Sequence, residues 1–377
     1  MLDIREIQGL ASSYRKPTIG VIGSHSALEV CDGAKEEKIR NIVLCKRGRE
    51  KTYAKYYLAR KEGGREVGCV DEVMIFEEWS DIAKKETVAE LVKRQCIFVP
   101  NRSFSVYVGY ENIEEKFRVP IFGNRRLLRA EERTEKKNQR WLLEKAGIPV
   151  PEVVKKPENI ERLSIVKAQQ AERSYERAFF FVSSYEEYKK KVGELEEQGI
   201  CTKKGIEEAL IEEVVLGAHF NFNFFYSPIR KRLELLGIDM RRQTSLDGIL
   251  RLPAWEQMEI ARTVRTENIE VGHVACTLRE SLLEKVFDIG ERLLEVCKEQ
   301  YPPGIIGAFA MQGAVVPRKK SEEIVIFDIS FRMPGSPGIR FTPYPQYLYR
   351  EGISCGRRVA REISWAHREG RLDELVT

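Results

Sequence analysis

Two short polar clusters follow apolar runs in this chain. Gly23-Ser24-His25-Ser26 comes after the run 17–22, and Asn101-Arg102-Ser103 comes after the run 96–100. Hydroxyls, an imidazole and a guanidinium at strand ends, where a helix begins, suit an anionic ligand. Further along, the run 164–167 ends in Lys167 and a second β-prone run, 178–182, follows. A strand–lysine–loop–strand unit is one way to hold a phosphate. Such loops usually use glycine, because the backbone must approach the phosphate and turn sharply. The loop here has none: Glu172 and Glu176 would repel a phosphate, while Arg173 and Arg177 would attract it.

More polar residues interrupt later apolar runs. Glu212 and Glu213 lie within the strand expected over 209–216. His219, Asn221 and Asn223 alternate with Phe220, Phe222 and Phe224, so one strand face is polar and the other is core. The polar face lines either solvent or a site. Gln312 shares a face with Ala308, Ala310 and Ala314, which leave space around it; Asp328 shares one with Ile326, Ser330 and Arg332.

The elements that must position these groups alternate. Strands expected over 17–23, 41–45, 73–76 and 96–100, with a helix over 26–37, argue for a doubly wound parallel sheet. In such sheets ligands sit at the carboxyl ends of the strands. A charged helix is expected over 130–146, stopped by Gly147 and the prolines beyond it. Helices over 185–197 and 281–299, and strands over 233–239, 308–314 and 325–332, complete the pattern. The fold class is therefore α/β, α+β overall.

The bulk numbers exclude little. The chain has 377 residues, long enough for two or three domains. Its net charge of +5, from 63 basic and 58 acidic residues, suits small anionic substrates and does not demand nucleic acid. None of the eight cysteines forms a C-x-x-C pair, which favours free thiols over disulfides or zinc. The start, MLDIREIQGLASSYRK, lacks the apolar core of a signal peptide, and no run approaches a membrane span, so a cytoplasmic protein is expected.

The order of these features resembles the ATP-grasp superfamily. A closer resemblance, to the archaeal PurP family, is carried by GSHSALEVCDGAK (23–35), VPIFGNRRLLR (119–129), FYSP (225–228), ELLGID (234–239), DGILRLPA (247–254), RESLL (279–283), YPPGIIG (301–307) and RRVAREI (357–363), spread in order over nearly the whole chain. The resemblance implies a pre-ATP-grasp domain over 1–124 and an ATP-grasp domain over 125–377, with a lid subdomain about 150–215. It also implies a ligase that uses ATP, formate and Mg²⁺ or Mn²⁺ to formylate the nucleotide AICAR to FAICAR through formyl phosphate. Carried over residue by residue, it implies substrate contacts from Ser24, His25, Ser103 and His273, the last standing where the family usually has asparagine. It places Lys136, Lys167, Glu212 and Glu213 on ATP, Gln312 and Asp328 on the metal, and Lys167 and Arg332 in catalysis. Small-molecule partners and a homo-oligomer, a trimer or hexamer, follow from the same resemblance, with no nucleic acid and no membrane.

Two stretches depart from the family: the glycine-free lid loop, and 333–338, where two prolines replace a glycine-rich turn. Three readings therefore stay open: the formate-dependent ligase, a divergent relative that binds a purine nucleotide but has weak or different activity, and a structural partner of an active enzyme.

Overall fold

The computed structural model describes residues 2–169, 177–264, 269–318 and 321–377, with the side chains of all but Gln169 and Arg177. The part of the lid loop that carries Glu172, Arg173 and Glu176 lies outside the described residues, as does the side chain of Arg177. The chain forms two compact units: one is Met1–Gly147 with His219–Gly313 and Asp328–Thr377, the other Ile148–Ala218 with Ala314–Phe327.

The larger unit starts with a parallel sheet of four strands, in the order Glu72–Phe76, Arg40–Lys46, Thr18–Ile22, Cys96–Phe98. Its central strands are buried on both faces, so they read as unbroken apolar runs rather than alternations. The strand order reverses beside Thr18–Ile22: the chain moves outward through Arg40–Lys46 and Glu72–Phe76, then returns to place Cys96–Phe98 on the other side. Such a reversal opens a crevice at the carboxyl ends of the two flanking strands. Those two ends carry Ser24-His25 and Asn101-Arg102-Ser103.

The helix Ala27–Glu36 crosses the C-terminal helix Cys355–Glu369 backbone to backbone. A Cβ on Gly33 would stand 2.1 Å from Arg357 N, and one on Gly356 would stand 2.1 Å from Glu29 O, so only glycine fits at the crossing. Glu29 is buried in this junction, accepting from Cys355 N at 2.9 Å and Gly356 N at 3.4 Å. Burial pushes its carboxyl up to about 7, against the two backbone hydrogen bonds.

A second sheet has the order Glu270–Cys276, Arg232–Gln243, Ala218–Ser227, Gly307–Pro317, Glu322–Ser330. Its first three strands pair antiparallel, with a register shift between Asn223 and Phe224. Phe222 and Phe224 are core, Phe224 stacking on Phe309 at 5.2 Å between centroids, as the alternation requires.

The helix expected over 130–146 is instead two short ones, Arg125–Ala130 and Gln139–Lys145. The chain turns between them because Glu131 is drawn into the core, where its carboxylate accepts Phe331 N at 2.8 Å. Asn138 then caps the second helix through Trp141 N at 3.0 Å. Helices Thr244–Ile249 and Ala254–Thr263 were not expected either, because Gly248 and Pro253 break the apolar period there.

The smaller unit holds an antiparallel sheet ordered Arg177–Val182, Ser164–Gln169, Leu210–Glu213. Val166, Ala168, Phe180, Val182 and Ile211 form its core with Tyr188 of the helix Tyr185–Glu197. By strand alternation the opposite face carries Ile165, Lys167, Phe179, Phe181, Leu210 and Glu212. Among the described residues no helix is long and apolar enough to cross a membrane.

Candidate active site

The crevice in the larger unit is built by the two strand ends and tied by Asn101. The Asn101 amide donates to Ile22 O at 3.2 Å and Ser24 O at 3.0 Å, and its oxygen accepts Phe104 N at 3.2 Å. One fully buried side chain thus fixes both polar turns and caps the helix Arg102–Val108, whose first turn holds the buried Ser103. Ser24 lies in the turn that Asn101 grips. His25 follows with φ of 52°, in the left-handed region that a β-carbon disfavours. Its Nδ1 is 3.3 Å from Ser26 Oγ. Burial, the Arg332 guanidinium and the positive charges of His273 and Arg241 pull its imidazole down to about 4, with Glu270 opposing. His25 is therefore neutral near pH 7.

A buried polar network lies beside it. Asp239 accepts from Asn221 Nδ2 at 2.7 Å, Asn223 Nδ2 at 2.6 Å and His273 Nδ1 at 2.5 Å. His273 Nε2 is 2.9 Å from Glu270, which also pairs with Arg241 at 2.8 Å. Burial works against a charged His273, but the hydrogen bonds to Asp239 and Glu270 win and raise it to about 9. Asp239 is held below the usual carboxylate range, its burial outweighed by the hydrogen bonds from His273, Asn221 and Asn223. The polar face of the Phe/Asn alternation thus lines a buried network at Asn221 and Asn223, and it is exposed only at His219.

Arg332 forms a buried ion pair with Glu131, although its Nε makes no hydrogen bond among the described residues. The carboxylate sits 3.3 Å from Arg332 Nε and 3.5 Å from Arg102 Nη1. Burial raises the Glu131 carboxyl, while Arg332 and Arg102 oppose this. Asp328 is close enough that both arginines feel its charge. Gln312 is buried on the strand next to the one that carries Asp328. An amide oxygen and a carboxylate on neighbouring strands are a hard donor set that fits Mg²⁺ or Mn²⁺, with phosphate and water completing the shell.

In the smaller unit Lys167 Nζ forms an ion pair with Glu212, both side chains nearly buried. Phe179 and Phe181, on the same sheet face, are more than half exposed. A cation beside two open aromatic rings can take a phosphate and a base. Glu213 is turned to the chain itself, accepting Glu152 N at 3.2 Å and facing Arg162 at 3.4 Å. Lys136 lies exposed on the turn between the two short helices of the larger unit.

Comparison with known proteins settles the family. Residues 19–154 match a family described as a protein of unknown function (DUF1246), and residues 187–377 match a domain of unknown function (DUF1297). The chain is 35% identical over 379 residues to the 5-formaminoimidazole-4-carboxamide-1-(beta)-D-ribofuranosyl 5'-monophosphate synthetase of Methanopyrus kandleri, with all of both chains covered. It is 35% identical over 382 residues to the synthetase of the same name from Methanocaldococcus jannaschii, again covering 100% of each. The crystal structure of an IMP biosynthesis protein PurP from Thermococcus kodakaraensis superposes with a TM-score of 0.69 at 29% identity, over 95% of this chain and 100% of that one. The chain belongs to the PurP family.

The ADP complex of purK, an N5-carboxyaminoimidazole ribonucleotide synthetase, shares the fold at 13% identity and a TM-score of 0.55, over 85% of this chain and 71% of that one. The architecture is that of the PurP family: a parallel-sheet N-terminal domain followed by an ATP-grasp fold. Against this frame the crevice gathers His25, His273 and Arg332, with Ser24 and Ser103 at the strand ends. Sequence reasoning missed Glu131, Asp239, Glu270 and Arg241. Asp239 left a signal, as a carboxylate that ends an otherwise apolar run after Glu234. Phe179 and Phe181 left one too, since a period of two puts them on the face of Lys167.

Proposed function

We propose that this chain is the ATP- and formate-dependent ligase that converts AICAR to FAICAR, the step of IMP formation for which its full-length relatives are named. The observation that carries this reading is the neutral His25 at the strand switch point, with Arg332 and the His273 cation beside it. A purine-precursor nucleotide brings an anionic phosphate and a weakly nucleophilic amine, and this crevice offers positive charge and a neutral acceptor to match.

The reaction balances in two steps. A formate oxygen attacks the γ-phosphorus of ATP, and the bond to ADP breaks. The 5-amino group of AICAR then attacks the formyl carbon, phosphate leaves with the C–O electrons, and the amine gives up a proton. Ser24, His25 and Ser103 hold the nucleotide, and neutral His25 accepts a hydrogen bond from the amine without adding charge. Arg332, fixed by Glu131, stabilises negative charge on the acyl phosphate. Lys167 takes ATP phosphate oxygens, Glu212, on the same sheet face, lies toward the ribose, and Lys136 is a further phosphate contact; Glu213, on the other face and held by Glu152 N and Arg162, takes no part. Gln312 and Asp328 would hold Mg²⁺, which supplies positive charge to the polyphosphate. We keep 1–124 as the substrate-side domain and 125–377 as the ATP-grasp domain, with the lid about 150–215. The family resemblance supports action in the cytoplasm on small molecules alone, as a homo-oligomer, a trimer or hexamer.

One observation favours the second reading, a relative with weak or different ligase activity. Both nitrogens of His273 are taken by carboxylates, so it cannot read a substrate amide as the family's asparagine can. Coupled-enzyme detection of ADP tests the proposal: release must require formate and AICAR together. Tight AICAR binding by calorimetry without ADP release would move the assignment to the second reading.

A further inference from the structure

The stretch 333–338 follows the Glu322–Ser330 strand, enters the short helix Pro337–Phe341, and is held against the crevice at several points. Met333 N donates to Pro100 O at 3.1 Å, which ties the loop to the strand end that precedes Asn101. Ser336 is buried, with Oγ 3.3 Å from His273 Nδ1, and its carbonyl accepts Ile339 N at 3.1 Å. Pro334 and Pro337 fix φ on either side of Gly335 and Ser336. The loop therefore has little freedom to move away from what it touches.

What it touches is His25. A Cβ on Gly335 would stand 2.5 Å from His25 Cε1, 2.8 Å from Nε2 and 3.1 Å from Nδ1. All three ring atoms are at sub-contact distance, so the imidazole lies along the bare Cα. Gly335 has no positive φ, so its backbone conformation does not require glycine. The ring does. His25 also meets Ser26 Oγ through Nδ1, and its own backbone is held in the left-handed region. Gly335 therefore forms one wall of the space that the ring occupies.

We propose that Gly335 is a positioning residue for His25, and that the two-proline loop is the strap that sets the pose of this imidazole toward the nucleotide. The inference rests on the reading above that His25 touches the substrate. Gly335 does not itself contact the reacting atoms; it acts by leaving room for a ring that does.

The test is a double-mutant cycle read by two methods. Gly335→Ala should weaken AICAR binding, measured by calorimetry on the full chain, by about tenfold or more, because an ångström of misplacement is enough for such losses. In a His25→Ala background the ring is gone, and the same Gly335→Ala change should alter affinity by less than about twofold, since coupling vanishes once the partner is removed. The second method is NMR of the histidine C2 protons, the His25 signal among the four histidines being assigned by its loss in His25→Ala. Gly335→Ala should shift that signal and move its midpoint from about 4 toward the ordinary histidine range, as the displaced ring meets water while Arg332, His273, Arg241 and Glu270 stay in place. Equal losses in both backgrounds, or an unmoved His25 signal, would overturn the inference. Should Gly335→Ala alone not fold, normal folding of the double variant supports it and failure of the double variant sinks it. If the wild type neither binds nor turns over AICAR, the functional reading fails, and the NMR result still decides the role of Gly335.

Discussion

His273 Nδ1 stands 2.5 Å from Asp239 Oδ2, and the same carboxylate takes the side-chain amides of Asn221 and Asn223. This contact makes His273 a cation near pH 7. Its folded pKa, about 9, lies above the ordinary 6.5, so its stabilisation is complete below about 6.5 and is lost as pH rises through 9. His273→Asn should lack this dependence. Between pH 6.5 and 10 the wild type should lose about 2 kcal/mol more stability than the variant, measured by urea melts. Parallel curves for the two proteins would refute the cation.

Glu29 also loses stability as pH rises, but here because burial disfavours its charged form. Its carboxyl is raised from 4.5 to about 7 by burial at the helix crossing, so the charged form costs stability as pH climbs from 4.5 through 7. Glu29→Gln mimics the neutral acid and keeps an oxygen for Cys355 N and Gly356 N. The variant should match the wild type near pH 5 and exceed it at pH 8 by about 2 kcal/mol. A variant less stable at pH 8 would show that the carboxylate is held better than its surroundings indicate.

Lys167 and Glu212 pair in a nearly buried setting, so Lys167→Ala should do two things. It should weaken ATP binding, and it should destabilise the protein by about 3 kcal/mol, because the buried Glu212 loses its ion-pair lysine. Lys167→Met with Glu212→Gln should restore the melting temperature without restoring ATP affinity. Recovery of both would mean that the lysine acts only on Glu212.

Glu131 lies between Arg332 and Arg102. Glu131→Gln should lower turnover by about a hundredfold through misplacement of Arg332, with AICAR affinity little changed. Glu131→Asp should recover part of the loss. A fall in affinity at constant turnover would remove Arg332 from the chemical step.

Much of the framework was legible because burial on both faces leaves a plain trace. The runs at 17–23, 41–45, 73–76 and 96–100 became the four parallel strands, and their polar ends became the crevice. The Asn/Phe alternation at 219–224 identified the strand and its core face. What escaped was set by distant partners. Glu131 is drawn inward by Phe331 N and two arginines, none of them local in sequence, and this broke the helix expected over 130–146. Asp239 and Glu270 meet only because their strands pair around His273. The fit of His25 against Gly335 depends on a loop more than 300 residues away in sequence, which no periodicity records.

The central claim is formylation through an acyl phosphate, and heavy-oxygen formate tests it most directly. With ATP, Mg²⁺ and AICAR present, the account predicts FAICAR and ADP in equal amounts, with one formate oxygen carried into the released phosphate. Phosphate free of the label, or ADP release that does not need AICAR and formate together, would contradict it.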